Sequence, residues 1–170
     1  MANYSVNGLE LSVVSFLKDQ KCWGVLAGSG TGSVFRLLFG DKIKRKTPLT
    51  NMSQDSKVRE YDASISLFVE CSWRLAADDC LICSCRSINK NDGPMVLGLK
   101  KLVGQVINSC VLTPTLDLTL GFTNGYILTI FNDLVSVGPY DCSFSIRKKD
   151  TRYEVSNFML NQADKPVSQG

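Results

Sequence analysis

The sequence predicts a mainly β fold of the α+β kind: two similar β-rich halves packed as a pseudo-symmetric sandwich or half-barrel pair, with one or two short helices. Three observations carry that prediction. Apolar and polar residues alternate with a period of two in several segments, as in strands with one buried face. An Asn-Gly pair separates two such segments. A Tyr-Asp motif followed by serines at the same spacing occurs twice, at Tyr61 and at Tyr140.

Taken in order, "LSVVSFLKD" (11–19) is the first helical candidate, and "FLKDQKCWGVL" runs from it towards a strand. "LAGSGTGSVFRLLFG" (26–40) then places Gly28, Gly30 and Gly32 between hydroxyl residues. Such a loop can close backbone amides on a phosphate. A phosphate-binding P-loop, however, needs a lysine and a following helix, and a dinucleotide loop needs G-x-G-x-x-G before a helix. Here no lysine is present, and Val34, Arg36 and Leu38 alternate with Phe35, Leu37 and Phe39 as in a strand. Loop 28–33 therefore reads as a turn between strands, with a ligand contact as the alternative.

"GDKIKRKTPLTNMSQDSKVRE" (40–60) is polar, contains Pro48 and reads as a long exposed connection. "YDASISLFVECSWRL" begins the first Tyr-Asp strand, with Ser64 and Ser66 on a wet face opposite Ile65 and Leu67. "SWRLAADDCLICSC" reads as two strands about an acidic turn at Asp78 and Asp79, and "RSINKNDGPM" (86–95) as the boundary between halves. "GLKKLVGQV" (98–106) is the second helical candidate. In "LDLTLGFTNGYILTIF", Leu116, Leu118, Leu120 and Phe122 share a face and Asn124-Gly125 turns the chain back. The second Tyr-Asp strand follows, with Ser143 and Ser145 opposite Phe144 and Ile146. The chain is thus one domain of two halves, about residues 9–86 and 96–158, with 159–170 as a flexible tail.

Composition bounds the chemistry. The 170 residues are 44% hydrophobic and 21% charged, ordinary globular values, with a formal charge of +3. That is too small a charge for a committed nucleic-acid binder, and no direct nucleic-acid contact is expected. Histidine is absent, which removes Ser-His-Asp triads, Cys-His dyads and histidine-ligated zinc. Seven cysteines, an odd number, suit reduced thiols in the cytoplasm. No leader and no membrane-spanning apolar run is read, so a cytoplasmic protein without a membrane partner is expected.

Few constellations could carry a reaction. Cys80, Cys83 and Cys85 form C-x-x-C-x-C without a second knuckle; on a strand Leu81, Cys83 and Cys85 would share a buried face and Cys80 would point away. Asp78 and Asp79 suit a solvated turn better than acid/base work. Neither a catalytic residue nor a metal or other cofactor is expected, and the chain is read as a non-enzyme. "KIKRK" (42–46) is the densest basic run and lacks the aromatic interleaving that base stacking wants. Lys42, Lys44, Arg45 and Lys46, with Asp78 and Asp79 behind them, are the candidate partner-binding residues. Trp23, Trp73 and Tyr61 suit either the core or an interface.

The combination "GLKKLVGQVI … TLDLTLGFTNGYILTIFND … YDCSFSIRK", with "GSVFRLLFG … YDASISLFVECSWRL" in the first half, resembles immunity proteins of bacterial polymorphic-toxin and contact-dependent growth inhibition systems. The resemblance spans roughly residues 10–155. It implies a cytoplasmic protein that neutralises the C-terminal domain of a cognate toxin, commonly a nuclease, by protein–protein contact. Nuclease inhibitors are often acidic, whereas this chain is mildly basic, which fits contact with an acidic toxin surface better than mimicry of nucleic acid. A small ligand-binding or enzymatic domain built on loop 28–33 is the alternative. Self-association is left open.

Overall fold

Alternation along the strands decides which side chains meet. Phe35, Leu37 and Phe39, then Ile65, Leu67 and Val69, turn one face inward, and Trp73, Leu75, Leu128 and Ile130 do the same from the opposing layer. The computed structural model describes residues 8–134 and 141–164. Helix α1 (Gly8–Leu17) leads to β1 (Gly24–Leu26), β2 (Phe35–Lys44), the short α2 (Ser56–Glu60), β3 (Tyr61–Val69), β4 (Ser72–Ala77) and β5 (Cys80–Ser84). Helix α3 (Pro94–Lys100) opens the second series: β6 (Ile107–Leu112), β7 (Leu118–Phe122), β8 (Tyr126–Phe131), β9 (Phe144–Lys148), β10 (Thr151–Ser156) and β11 (Met159–Asp164).

The strands form two open antiparallel sheets, ordered β1-β2-β3-β9-β10-β11 and β5-β4-β8-β7-β6, so the β-rich sandwich is the observed architecture and, among the described residues, no barrel closes. Each series lays a three-stranded meander in one sheet and sends its next hairpin into the other. Strand β3 therefore pairs with β9, and β4 with β8. The two series meet at a reciprocal exchange of hydrogen bonds. Ile107 N–H donates to Gln20 O (3.0 Å) and Cys22 N–H to Gln105 O (2.9 Å), while Asp19 N–H donates to Ile107 O (2.9 Å) and Gly104 N–H to Cys22 O (2.7 Å). Asp19 and Gly104, at matching places in this exchange, both adopt positive φ (66° and 89°).

This geometry shifts the internal match. Tyr61 opens β3, and Tyr126 opens the strand in the equivalent place, β8. Tyr140 lies outside the described residues, and Asp141 precedes β9, so the two Tyr-Asp motifs are not equivalent. The matching segments are Glu70-Cys71-Ser72-Trp73 and Asp141-Cys142-Ser143-Phe144, each carrying the chain from one sheet to the other. Nor are the serine faces wet: Ser66, Ser143 and Ser145 are buried.

Other expectations are corrected locally. Residues 40–44 continue β2 beyond a bulge at Gly40 and Asp41, and Asp55 caps α2 by accepting the Lys57 N–H, so the 40–60 connection holds a strand end and a helix. Among residues 40–44 only Ile43 has a large apolar side chain, which hid the strand. The helix expected over 98–106 is α3, which starts at Pro94, whose fixed φ suits a first helical position, and ends at Lys100. The β7–β8 turn has positive φ at Gly125 alone, with Gly125 N–H donating to Phe122 O (2.9 Å); Asn124 instead accepts the Tyr126 N–H. Residues 159–164, expected in a tail, pair with β10.

The β4–β5 register slips between Leu75↔Cys83 and Ala76↔Leu81. Leu81 is consequently 64% exposed while Cys83 is buried, and the two do not share a face. Above Cys83 lies Gly98 of α3, where an added Cβ would overlap the Cys83 sulfur. Gly98→Ala is expected to destabilise the protein by about 1–3 kcal/mol through overpacking. Helix propensity alone would give the opposite sign, by roughly 1 kcal/mol, so urea unfolding of the variant separates the two.

Candidate functional site

Antiparallel pairing assembles polar rows on the outer face of the six-stranded sheet. Arg36 lies across from Phe68, Phe68 from Ser145, and Ser145 from Glu154. In the neighbouring row Leu38, Ser66, Arg147 and Arg152 follow one another on β2, β3, β9 and β10. Strand β2 and the distant β9–β10 hairpin thus put Arg36, Arg147 and Arg152 around one groove of about 440 Å³. Ser66, Ser145 and Thr31 supply hydroxyls to its wall, and Leu26, Val34 and Phe68 supply apolar surface.

The cluster is organised by one carboxylate. Asp62 Oδ2 accepts from Arg147 Nη2 at 2.8 Å, while Oδ1 lies 3.5 Å from Arg36 Nη2 and 3.5 Å from Arg45 Nη2. Arg36 Nη2 also donates to Ser66 Oγ (2.9 Å), and Arg147 Nη2 to Ala63 O (3.3 Å). Arg152 Nε pairs with Glu154 Oε2 at 3.2 Å. Among the described residues, the ion pairs Arg36–Asp62, Arg45–Asp62, Arg147–Asp62 and Arg152–Glu154 set four guanidiniums against two carboxylates, which leaves the groove positive. Arg45 Nε and Nη2 are shielded from solvent with no hydrogen-bond acceptor among the described residues. Burial, then the charge of Arg147, holds the Arg36 guanidinium below its ordinary value; Asp62 opposes this, and Arg45 and Arg152 reinforce it. For Asp62, burial pushes the carboxyl up, but the Arg147 hydrogen bond, the Ala63 N–H and the charges of Arg36 and Arg147 outweigh it, so the net shift is downward.

Loop 28–33 is a turn between β1 and β2, and it borders this groove through Thr31. Gly28, Gly30 and Gly32 all have positive φ. The loop is pinned from outside: Asn89 Nδ2 donates to Gly28 O, Thr31 Oγ1 and Gly32 O, and Trp73 Nε1 donates to Ser33 O at 2.8 Å. Several of its amides are already used. Thr31 N–H donates to Gly28 O, Val34 N–H to Thr31 O, and Ser29 N–H to Asn91 Oδ1.

The residues singled out from sequence do not converge. Lys42 and Lys44 stand on the exposed end of β2, Lys42 with its ammonium 5.3 Å from the Trp23 ring, and Lys46 is exposed beyond it. Only Arg45 reaches the Asp62 cluster. Asp78 and Asp79 occupy the exposed β4–β5 turn of the other sheet, Asp78 at φ 50°. Arg36, Asp62, Arg147 and Arg152 were missed, because single charges on alternating strands carry no signal until pairing sets them side by side.

The cysteines also separate. All seven are free, and among the described residues no group of three or more Cys, Asp or Glu residues is placed to hold a metal ion. Burial foremost pushes the thiols of Cys22, Cys71 and Cys142 up to about 12, and those of Cys83 and Cys110 to about 11. Cys142 also donates to Glu70 Oε2 at 3.3 Å, which favours the thiol form. A thiolate-selective reagent at about pH 8 is expected to label exposed Cys80 ahead of the other six, as peptide mapping would read. Among the described residues no helix is long and apolar enough to cross a membrane.

No protein-family model, characterised protein or solved structure matches this chain.

Proposed function

We propose that this chain is a non-catalytic binding protein that holds an acidic partner against the outer face of its six-stranded sheet. The partner is the C-terminal domain of a cognate bacterial toxin, and the chain is its cytoplasmic immunity protein. One observation carries the binding surface: three half-buried arginines, Arg36, Arg45 and Arg147, gather on Asp62 beside the more exposed Arg152, which pairs with Glu154. Partly desolvated guanidiniums interact more strongly with an incoming anion than solvated lysines do. The toxin assignment draws on the sequence resemblance. Seven unpaired thiols fit a reducing compartment.

Capture of the tagged full-length protein from cells that make it, followed by mass spectrometry, tests the reading. A toxin fragment co-eluting in near-equal amount is the expected result; recovery of the protein alone, from cells shown to express their toxins, would remove the reading. With the fragment in hand, replacing Lys42, Lys44 and Lys46 together by serine is expected to change affinity less than about threefold, as for rim charges. Arg147→Gln is expected to weaken it at least about tenfold, as for an interface anchor.

A second reading is favoured by Thr31, which brings the glycine-rich loop to the same groove: a small anionic ligand held there. The groove volume falls in the usual range for such sites, roughly 300–1,000 Å³. Ligand-dependent thermal stabilisation of the isolated protein would support it, since a ligand held only by the folded state raises the melting temperature.

A further inference from the structure

We propose that the groove between Arg36, Arg147 and Arg152 is a carboxylate-receiving site, filled in the complex by an aspartate or glutamate side chain of the partner protein. This rests on the binding reading above and assigns it a chemistry. Asp62 draws Arg36, Arg45 and Arg147 together before any partner arrives, so the donors are positioned in advance. A guanidinium presents a planar fork of N–H donors. Arg36 spends one nitrogen on Ser66, and the fork of Arg152 is engaged by Glu154 only through Nε and by Cys142 Sγ at a long 3.9 Å. Arg36, Arg45 and Arg147 are only 23%, 15% and 31% exposed in their side chains, so an entering anion meets weakly screened charge. The apolar wall of Leu26, Val34 and Phe68 suits the methylene stem of an acidic side chain.

Carboxylate and phosphate both match a guanidinium fork, and the loop decides between them. Phosphate sites beside glycine-rich loops use free backbone amides as a cradle. Of this stretch only Thr31 and Val34 line the groove, and their amides are committed to Gly28 O and Thr31 O. What remains is a site built from side chains, whose hydroxyls at Ser66, Ser145 and Thr31 both donate and accept.

The test is a titration of the isotope-labelled full-length protein with glutarate at constant ionic strength, following the arginine Nε–Hε resonances by NMR. Glutaramide serves as the neutral analogue and inorganic phosphate as the competing oxyanion. Saturable shifts at Arg36, Arg147 and Arg152 with glutarate, absent with glutaramide, are expected at roughly millimolar concentration, the weak regime of a single small anion. Arg147→Gln should weaken them at least tenfold. Arg152→Gln, at the most exposed of the four, should weaken them while leaving the fold intact. Equal shifts from glutaramide, no saturable shift, or unchanged binding in both variants would overturn the site. Phosphate binding tenfold tighter than glutarate would overturn the carboxylate assignment. A captured toxin that binds wild type and Arg147→Gln equally would remove the site and leave the toxin reading standing. Glutarate binding, with no protein partner recovered, would overturn the partner and assign the groove to a free organic acid.

Discussion

Replacing Trp73 with alanine is expected to lower the free energy of unfolding by about 3–5 kcal/mol, the range for removing a buried large aromatic. Trp73 is 1% exposed and lies in the core between the two sheets. Its ring meets Phe35 edge-on, with centroids 4.7 Å apart at 72°, so the substitution removes a contact between the sheets as well as volume. The indole N–H also donates to Ser33 O, tying the end of the glycine-rich loop to the five-stranded sheet. Trp73→Phe keeps most of the volume and strands that carbonyl, so a smaller loss of about 1–2 kcal/mol is expected. Urea unfolding measures both. A loss below 1 kcal/mol in the alanine variant would mean that Trp73 does not join the layers as described. Trp23 makes the contrast: it is partly exposed against the small cluster of Leu38, Val58 and Ala63, and its loss should cost less.

That core was legible in the sequence because burial follows a period of two. The alternation at 34–39 marked a strand, and that of Leu118, Leu120 and Phe122 marked both a strand and a shared face, which is buried. The sandwich followed from it. The partners of those strands were not legible. Pairing β3 with β9 and β4 with β8 depends on hairpins crossing between sheets, and no local residue pattern encodes that. The same limit explains the candidate site. A dense run such as "KIKRK" stands out in one dimension, but its lysines spread along and past the exposed end of β2 while Arg45 alone turns to Asp62. Arg36, Asp62 and Arg147 are scattered in the chain and adjacent only through the ladder. The bulge that separates Leu81 from Cys83 is a third case: one slipped residue reverses a face, and nothing in "CLICSC" announces it.

Asp62→Asn is expected to cost about 2 kcal/mol at neutral pH, somewhat below the 3–5 kcal/mol of a fully buried broken ion pair. The reduction follows from solvent access, since Asp62 keeps 25% of its side chain exposed. Removing its charge leaves Arg36, Arg45 and Arg147 facing one another. The sign of the pH dependence follows from the lowered pKa of the carboxyl in the folded state, where burial is outweighed by the Arg147 hydrogen bond, the Ala63 N–H and the charges of Arg36 and Arg147. A depressed carboxylate contributes its full stabilisation above the unfolded value, about 3.9. That contribution is lost as pH falls through the lower folded value. The stability gap between wild type and Asp62→Asn should therefore be constant from neutral pH to about pH 5 and close progressively below about pH 4. Urea unfolding across that range measures it. A gap that persisted undiminished in acid would show that the asparagine acts through shape, not charge. Binding should move the other way. The variant removes one negative charge from beside the groove, so association with an acidic partner at low salt should accelerate even as the fold weakens, and added salt should erase the gain. Asp62 would then hold the arginines in place at the expense of their attraction for the partner.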